Sequence, residues 1–139
     1  AITAQALIYP ATHLDFTSPS YEQFANGFGL DRDLMIWFGE YYVNDASDYE
    51  DVRVSPLLYE NVESLPPAVI IAAENDVLIH EGAKYEEKLR DAGVQTSYHV
   101  LEGSVHGYFS NMAVFANETK ETVQTIAEFL KTVKNTSAV

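Results

Sequence analysis

The sequence contains no cysteine. Disulfides, thiolate nucleophiles and cysteine-ligated zinc are therefore excluded. Basic residues are also scarce: 8 Lys and Arg stand against 21 Asp and Glu, a formal net charge of −13. A nucleic-acid backbone and an anionic bilayer both call for clustered cations, so neither partner is expected. No apolar run approaches the ~20 residues of a membrane-spanning helix. Neither G-x-G-x-x-G nor a P-loop occurs, which leaves no phosphate cradle, and no cofactor is expected. His13, His80 and His99 lie apart, without the spacing of a metal-ligand set, so no metal is expected either. The reading is a soluble, cytoplasmic protein. The sequons Asn117-Glu118-Thr119 and Asn135-Thr136-Ser137 are taken as chance matches.

What remains is globular. Hydrophobic residues make up 47% of 139 positions, enough for one domain with a sizeable core. Ala4 to Tyr9 reads as a short buried strand stopped by Pro10. The stretch Ala11 to Leu30 is rich in Thr, Ser, Asn and Gly and is expected to be mostly loop, with Tyr21, Phe24 and Phe28 plugging onto the core. Asp31 is placed to cap a helix whose Leu34, Trp37, Phe38, Tyr41 and Tyr42 recur at i, i+3, i+4, i+7 and i+8. That stripe predicts a packing face. Near the end, Asn117 is expected to cap a helix lined by Thr119, Val123, Ile126, Ala127, Leu130 and Val133.

The centre of the chain, Ala68 to Phe109, reads as a strand–helix–strand unit. Ala68–Ala73 is unbroken apolar, as in a strand covered on both faces. Glu74-Asn75-Asp76 is read as the turn, and a helix from about Ile79 to Ala92 carries a Glu86–Arg90 pair and stops at Gly93. Gln95 to Leu101 alternates like a half-covered, edge-type strand, and Ser104-Val105-His106-Gly107 is read as the loop beyond it. A parallel unit of this kind puts both strand ends on one edge of the sheet, where ligand and catalytic groups collect in open α/β folds.

Asp76 follows the first strand and His106 follows the second. A Ser-His-Asp hydrolase needs an imidazole to take the serine proton and a buried carboxylate to fix its tautomer, and these two residues suit those roles. Taken singly, Asp76 is equally a helix-capping turn residue and His106 a loop histidine beside glycine. Glu74 is a weaker candidate acid, and Glu102 flanks the histidine loop. Gly103-Ser104-Val105-His106-Gly107 imitates a nucleophile elbow, but its serine is at the second position and follows the wrong element.

Tyr9-Pro10, Ser55-Pro56-Leu57, Leu65-Pro66-Pro67-Ala68, Asn75-Asp76-Val77-Leu78, Glu81-Gly82 through Ala92-Gly93 and His106-Gly107-Tyr108 occur in the order of one family. In that order the chain resembles the C-terminal part of an α/β-hydrolase of the hormone-sensitive-lipase-like esterase branch. The resemblance implies half of an α/β-hydrolase fold, with about three parallel strands and flanking helices over residues 1–139. It implies a carboxylic-ester hydrolase acting on small esters, with Asp76 as triad acid and His106 as base. Phe28, Val77 and Tyr108 would then line the substrate pocket, and the strand Gln95–Leu101 would join two copies.

No G-x-S-x-G and no HGGG-type loop occur in the 139 residues. The expectation is a chain cut before Ala1, lacking its N-terminal half and inactive alone. A non-catalytic α/β interaction module, pairing through the same strand edge, is the alternative from another class. A peptidase or dienelactone hydrolase would use the same order of Asp and His.

Overall fold

The computed structural model describes residues 2–136, with side chains as far as residue 133. Ala1 and the side chains of the Asn135-Thr136-Ser137 sequon lie outside the described residues. Three strands form one parallel sheet: β1 (Gln5–Ile8), β2 (Ala68–Asn75) and β3 (Thr96–Val105), in the order β1-β2-β3. The sequence reading of three parallel strands flanked by helices is the fold observed.

The central strand explains the sandwich. Ala68 and Ile70 of β2 pack against Tyr85 and Leu89 of helix α3 (Ile79–Asp91). Val69, Ile71 and Ala73 point the other way, toward Phe129 and Val133 of helix α4 (Ala116–Thr136). A parallel strand covered on both faces has no polar position to alternate with, which is why this run is continuous in the sequence. Each of Ile70, Ile71 and Leu89 is fully buried and contributes about 1.5–3 kcal/mol. Gly93 ends α3 at φ +81°, a left-handed value that suits a residue without Cβ, and Glu86 pairs with Arg90 at 2.8 Å.

A third cluster lies over the carboxyl ends of the strands. Leu14, Tyr21, Phe24, Leu30 and Met35, drawn from residues 11–42, pack on Val77 and Leu78 just beyond β2. This places the long excursion between β1 and β2 beside the edge at which Asp76 emerges.

Several expectations need correction. Residues 11–30 contain a short helix, α1 (Pro19–Gln23), opened by a proline at its first turn. Helix α2 (Arg32–Tyr42) forms where expected, but Asp31 Oδ1 accepts from the Gly27 amide at 2.9 Å and caps nothing with its side chain. The α2 stripe is not buried: Trp37 is 48% exposed and Tyr41 75%, while Met35 and Gly39 face inward. Periodicity identifies an apolar face without saying what covers it, and Gly39 carried no hydrophobic signal. Helix α4 begins at Ala116, so Asn117 is inside its first turn. Thr119, Thr122, Phe129 and Val133 are its buried positions, whereas Val123 and Leu130 are exposed. Strand β3 also runs on to Val105, so Ser104 is in the strand and not in the loop expected from the sequence.

Candidate active site

The extension of β3 sets the geometry. Pairing is regular from Ala68↔Thr96 to Ala73↔Leu101, then jumps to Asn75↔Val105, so β3 spends two more residues than β2 over this step. Gly103 takes φ +70° in the bulge and donates its amide to Glu74 Oε2 at 2.6 Å. Ser104 is fully buried, and its hydroxyl donates to the Leu101 carbonyl at 2.7 Å. Glycine inside a strand pattern is the sequence signal of such a bulge. Glu74 is thereby committed to holding the bulge, and Ser104 is committed to its own strand.

Asp76 and His106 each follow one residue after the paired positions Asn75 and Val105. Neighbouring strands are about 4.8 Å apart, so the two side chains meet across one interstrand gap. His106 Nδ1 lies 2.7 Å from Asp76 Oδ2. The other carboxylate oxygen, Oδ1, accepts the Leu78 amide at 2.9 Å. A carboxylate only accepts hydrogen bonds, so Nδ1 carries a proton, and in the neutral ring Nε2 is the nitrogen that keeps its lone pair. The Asp76 side chain is 1% exposed and that of His106 25%, so the carboxylate is sheltered and the imidazole accessible. This is the geometry that a proton-accepting imidazole requires.

Two further side chains, Tyr9 and Glu81, are not site candidates on the sequence alone. Tyr9, immediately after β1, has its ring centroid 4.3 Å from that of His106, tilted by 53°. Its φ of 38° is uncommon for a residue with a side chain and costs on the order of 1–3 kcal/mol. Glu81, in the first turn of α3, is 2% exposed. Its Oε1 accepts the amides of Thr12 at 2.6 Å and His13 at 3.1 Å, and Tyr21 donates to Oε2 at 3.4 Å. Thr12 Oγ1 returns a bond to the Glu81 carbonyl at 2.9 Å. Burial pushes the Glu81 carboxyl up to about 7, although the two amides favour its charged form. Burial, then Glu81 beside it, also raises the Tyr21 hydroxyl well above the ordinary range.

The residues expected to line a substrate pocket are divided. Val77 is fully buried in the cluster with Tyr21 and Met35. Tyr108 is fully buried in the α4 cluster, where its hydroxyl and that of Thr122 are 2.6 Å apart, and burial pushes it up to about 12. Phe28 is half-buried and stands edge-on to Phe24. None of the three borders the apolar cleft of about 500 Å³ between α2 and residues 53–56, which Leu14, Met35 and Phe38 line. His13 pairs with Asp15 at 3.4 Å, and His99 Nε2 with Ser97 Oγ at 2.7 Å. Among the described residues no group of three or more His, Asp and Glu is arranged to hold a metal, and no helix is long and apolar enough to cross a membrane.

Three parallel strands thus carry an Asp–His pair at two adjacent ends. Residues 1–110 match the family model described as the alpha/beta hydrolase fold, and the chain belongs to that family. Among curated proteins it is 32% identical over 111 residues to an arylesterase of Saccharolobus solfataricus, covering 79% of this chain and 36% of the relative. It is 32% identical over 127 residues to an ethyl acetate hydrolase of Pseudomonas putida, covering 91% of this chain and 40% of that one. Among solved structures, an ester hydrolase from the metagenome of Lake Arreo superposes with a TM-score of 0.84 at 38% identity, over 91% of this chain and 40% of its own. A carboxyl esterase of Tuber melanosporum gives 0.85 at 28% identity, over 93% and 44%. The chain thus spans roughly two fifths of the length of these relatives.

Proposed function

We propose that this chain supplies the acid and base of a carboxylic-ester hydrolase. The observation that carries the reading is the 2.7 Å bond from His106 Nδ1 to the buried Asp76 carboxylate, at adjacent parallel strand ends. The esterase names of the relatives support the substrate class.

In the complete reaction His106 Nε2 takes the proton of a serine hydroxyl as its oxygen attacks the ester carbonyl. The tetrahedral intermediate collapses with cleavage of the ester C–O bond, and the imidazolium gives its proton to the departing alkoxide. Water then attacks the acyl-enzyme as His106 takes a proton from it; the bond to the serine oxygen breaks, His106 returns that proton to the serine, and the carboxylic acid is released. Asp76 holds the imidazole in one tautomer throughout and faces the positive charge that appears on it. The serine belongs to a G-x-S-x-G sequence, which these 139 residues do not contain.

The 139 residues, purified free of host esterases, are therefore expected to leave p-nitrophenyl acetate unhydrolysed. Turnover by them alone would overturn the placement of the nucleophile elsewhere. In a longer form that hydrolyses the ester, Asp76→Asn is expected to lower kcat by about 10⁴-fold, the scale of a lost triad carboxylate. A loss below tenfold would remove Asp76 from the triad.

A second copy of the chain is proposed as partner. The outer edge of β3 has no strand partner among the described residues, and residues 95–101 offer its backbone for pairing. Light scattering at the mass of a monomer at millimolar concentration would exclude that contact.

A further inference from the structure

We infer that Tyr9 is a positioning residue for His106, its ring bracing the imidazole in the rotamer that faces Asp76. This rests on the acid–base reading of the pair. His106 has one hydrogen bond through its ring, to Asp76, and is followed by Gly107 at φ +83°. One such bond still lets the ring pivot about the Nδ1–Oδ2 line, so the direction of Nε2 is set only if something blocks the ring itself.

Tyr9 supplies that block. Strand β2 lies between β1 and β3, so the two outer strands are roughly 9.5 Å apart. Only a large side chain reaches across that distance, and the Tyr9 ring arrives within 4.3 Å of the imidazole centroid. A second ring contact of Tyr9 is with Tyr108, edge-on at 5.3 Å, and the Tyr108 hydroxyl is tied to Thr122 of α4 at 2.6 Å. A contiguous series therefore runs from α4 through Thr122, Tyr108 and Tyr9 to His106. The backbone contributes as well: the Tyr9 amide donates to the Ile71 carbonyl at 2.6 Å while φ is held at 38°. An unfavourable φ persists only where its surroundings over-determine it, and here they fix where the ring goes. The aromatic ring also stands close enough to favour the imidazolium that forms during turnover.

The test is NMR on the chain with labelled histidine and tyrosine. Cross-relaxation between the Tyr9 and His106 ring protons is expected in the unaltered protein; its absence overturns the brace without recourse to any variant. In Tyr9→Leu, which is too short to reach, the His106 Nδ1 proton is expected to exchange with water about two- to tenfold faster, while α4 amides are unchanged. That range is what a ring pair of about 0.5–1.5 kcal/mol gives at 1.36 kcal/mol per tenfold. Tyr9→Phe is expected to keep the slow exchange, since the ring and not the hydroxyl makes the contact. Unchanged exchange in Tyr9→Leu, or equal acceleration in Tyr9→Phe, overturns the inference. Asp76→Asn separates the two claims: if it leaves the Nδ1 proton unaltered, the acid–base reading fails, whereas the ring contact is judged on the cross-relaxation.

Discussion

Glu81 sets up a pH dependence that can be worked from its surroundings. Its carboxyl is enclosed by residues 12–21 and α3 and titrates near 7 in the native protein, against an ordinary value of 4.5. The sign follows from linkage. Between those values the native state keeps a proton that the unfolded chain has released, so the contribution of Glu81 to stability is fully present below pH 4.5 and is lost as pH rises toward 7. Each pH unit in the window costs about 1.4 kcal/mol, and the whole passage about 3 kcal/mol. Glu81→Gln removes the titration and keeps the shape. Its Oε1 still accepts the amides of Thr12 and His13, and its amide nitrogen faces a Tyr21 oxygen able to accept. Urea unfolding followed by circular dichroism at pH 4.5 and pH 8 measures the effect. The variant and the parent are expected to be nearly equal at the lower pH, and the variant more stable by about 3 kcal/mol at the higher. Carboxylates elsewhere titrate alike in both proteins and cancel. Parallel profiles, or a variant less stable at pH 8, would show that the Thr12 and His13 amides satisfy the charge, and would refute the reasoning.

Other perturbations probe the packing around the site. A Cβ at Gly39 would lie 2.8 Å from Phe16 Cζ and 2.9 Å from the Tyr49 hydroxyl, so Gly39→Ala is expected to destabilise by about 1–3 kcal/mol despite the better helix propensity of alanine. Thermal melting checks it, and a raised Tm would contradict it. Thr122→Val strips the buried Tyr108 hydroxyl of its partner and is expected to cost about 1–3 kcal/mol. Thr122→Ser is expected to restore most of that loss, and equal destabilisation by both would show that the hydrogen bond is not the cause.

The sequence carried the parts of this fold that depend on local pattern. The continuous run of β2, the stop of α3 at Gly93 and the shared sheet edge of Asp76 and His106 all follow from period, glycine and parallel topology. What it did not carry depends on partners distant along the chain. The α2 stripe looks like any core face, and its exposure is a property of its surroundings. Glu81 sits in a charged helix and reads as solvated, yet it is enclosed because residues 12–21 fold back over that turn. The β3 bulge lies beyond the strand expected at 95–101, and only the register shows that it brings His106 level with Asp76. Tyr9 was legible as the end of a strand, and its ring contact with His106 needs all three strands in place.

The central claim is that Asp76 holds His106 with its proton on Nδ1. Proton NMR of the chain at low temperature tests this most directly, because a hydrogen-bonded Nδ1 proton resonates at low field, away from all amides. One such resonance is expected, coupled to the Nδ1 nitrogen of His106 and lost in Asp76→Asn. Protonation at Nε2 instead, or a resonance that survives the loss of Asp76, would contradict it.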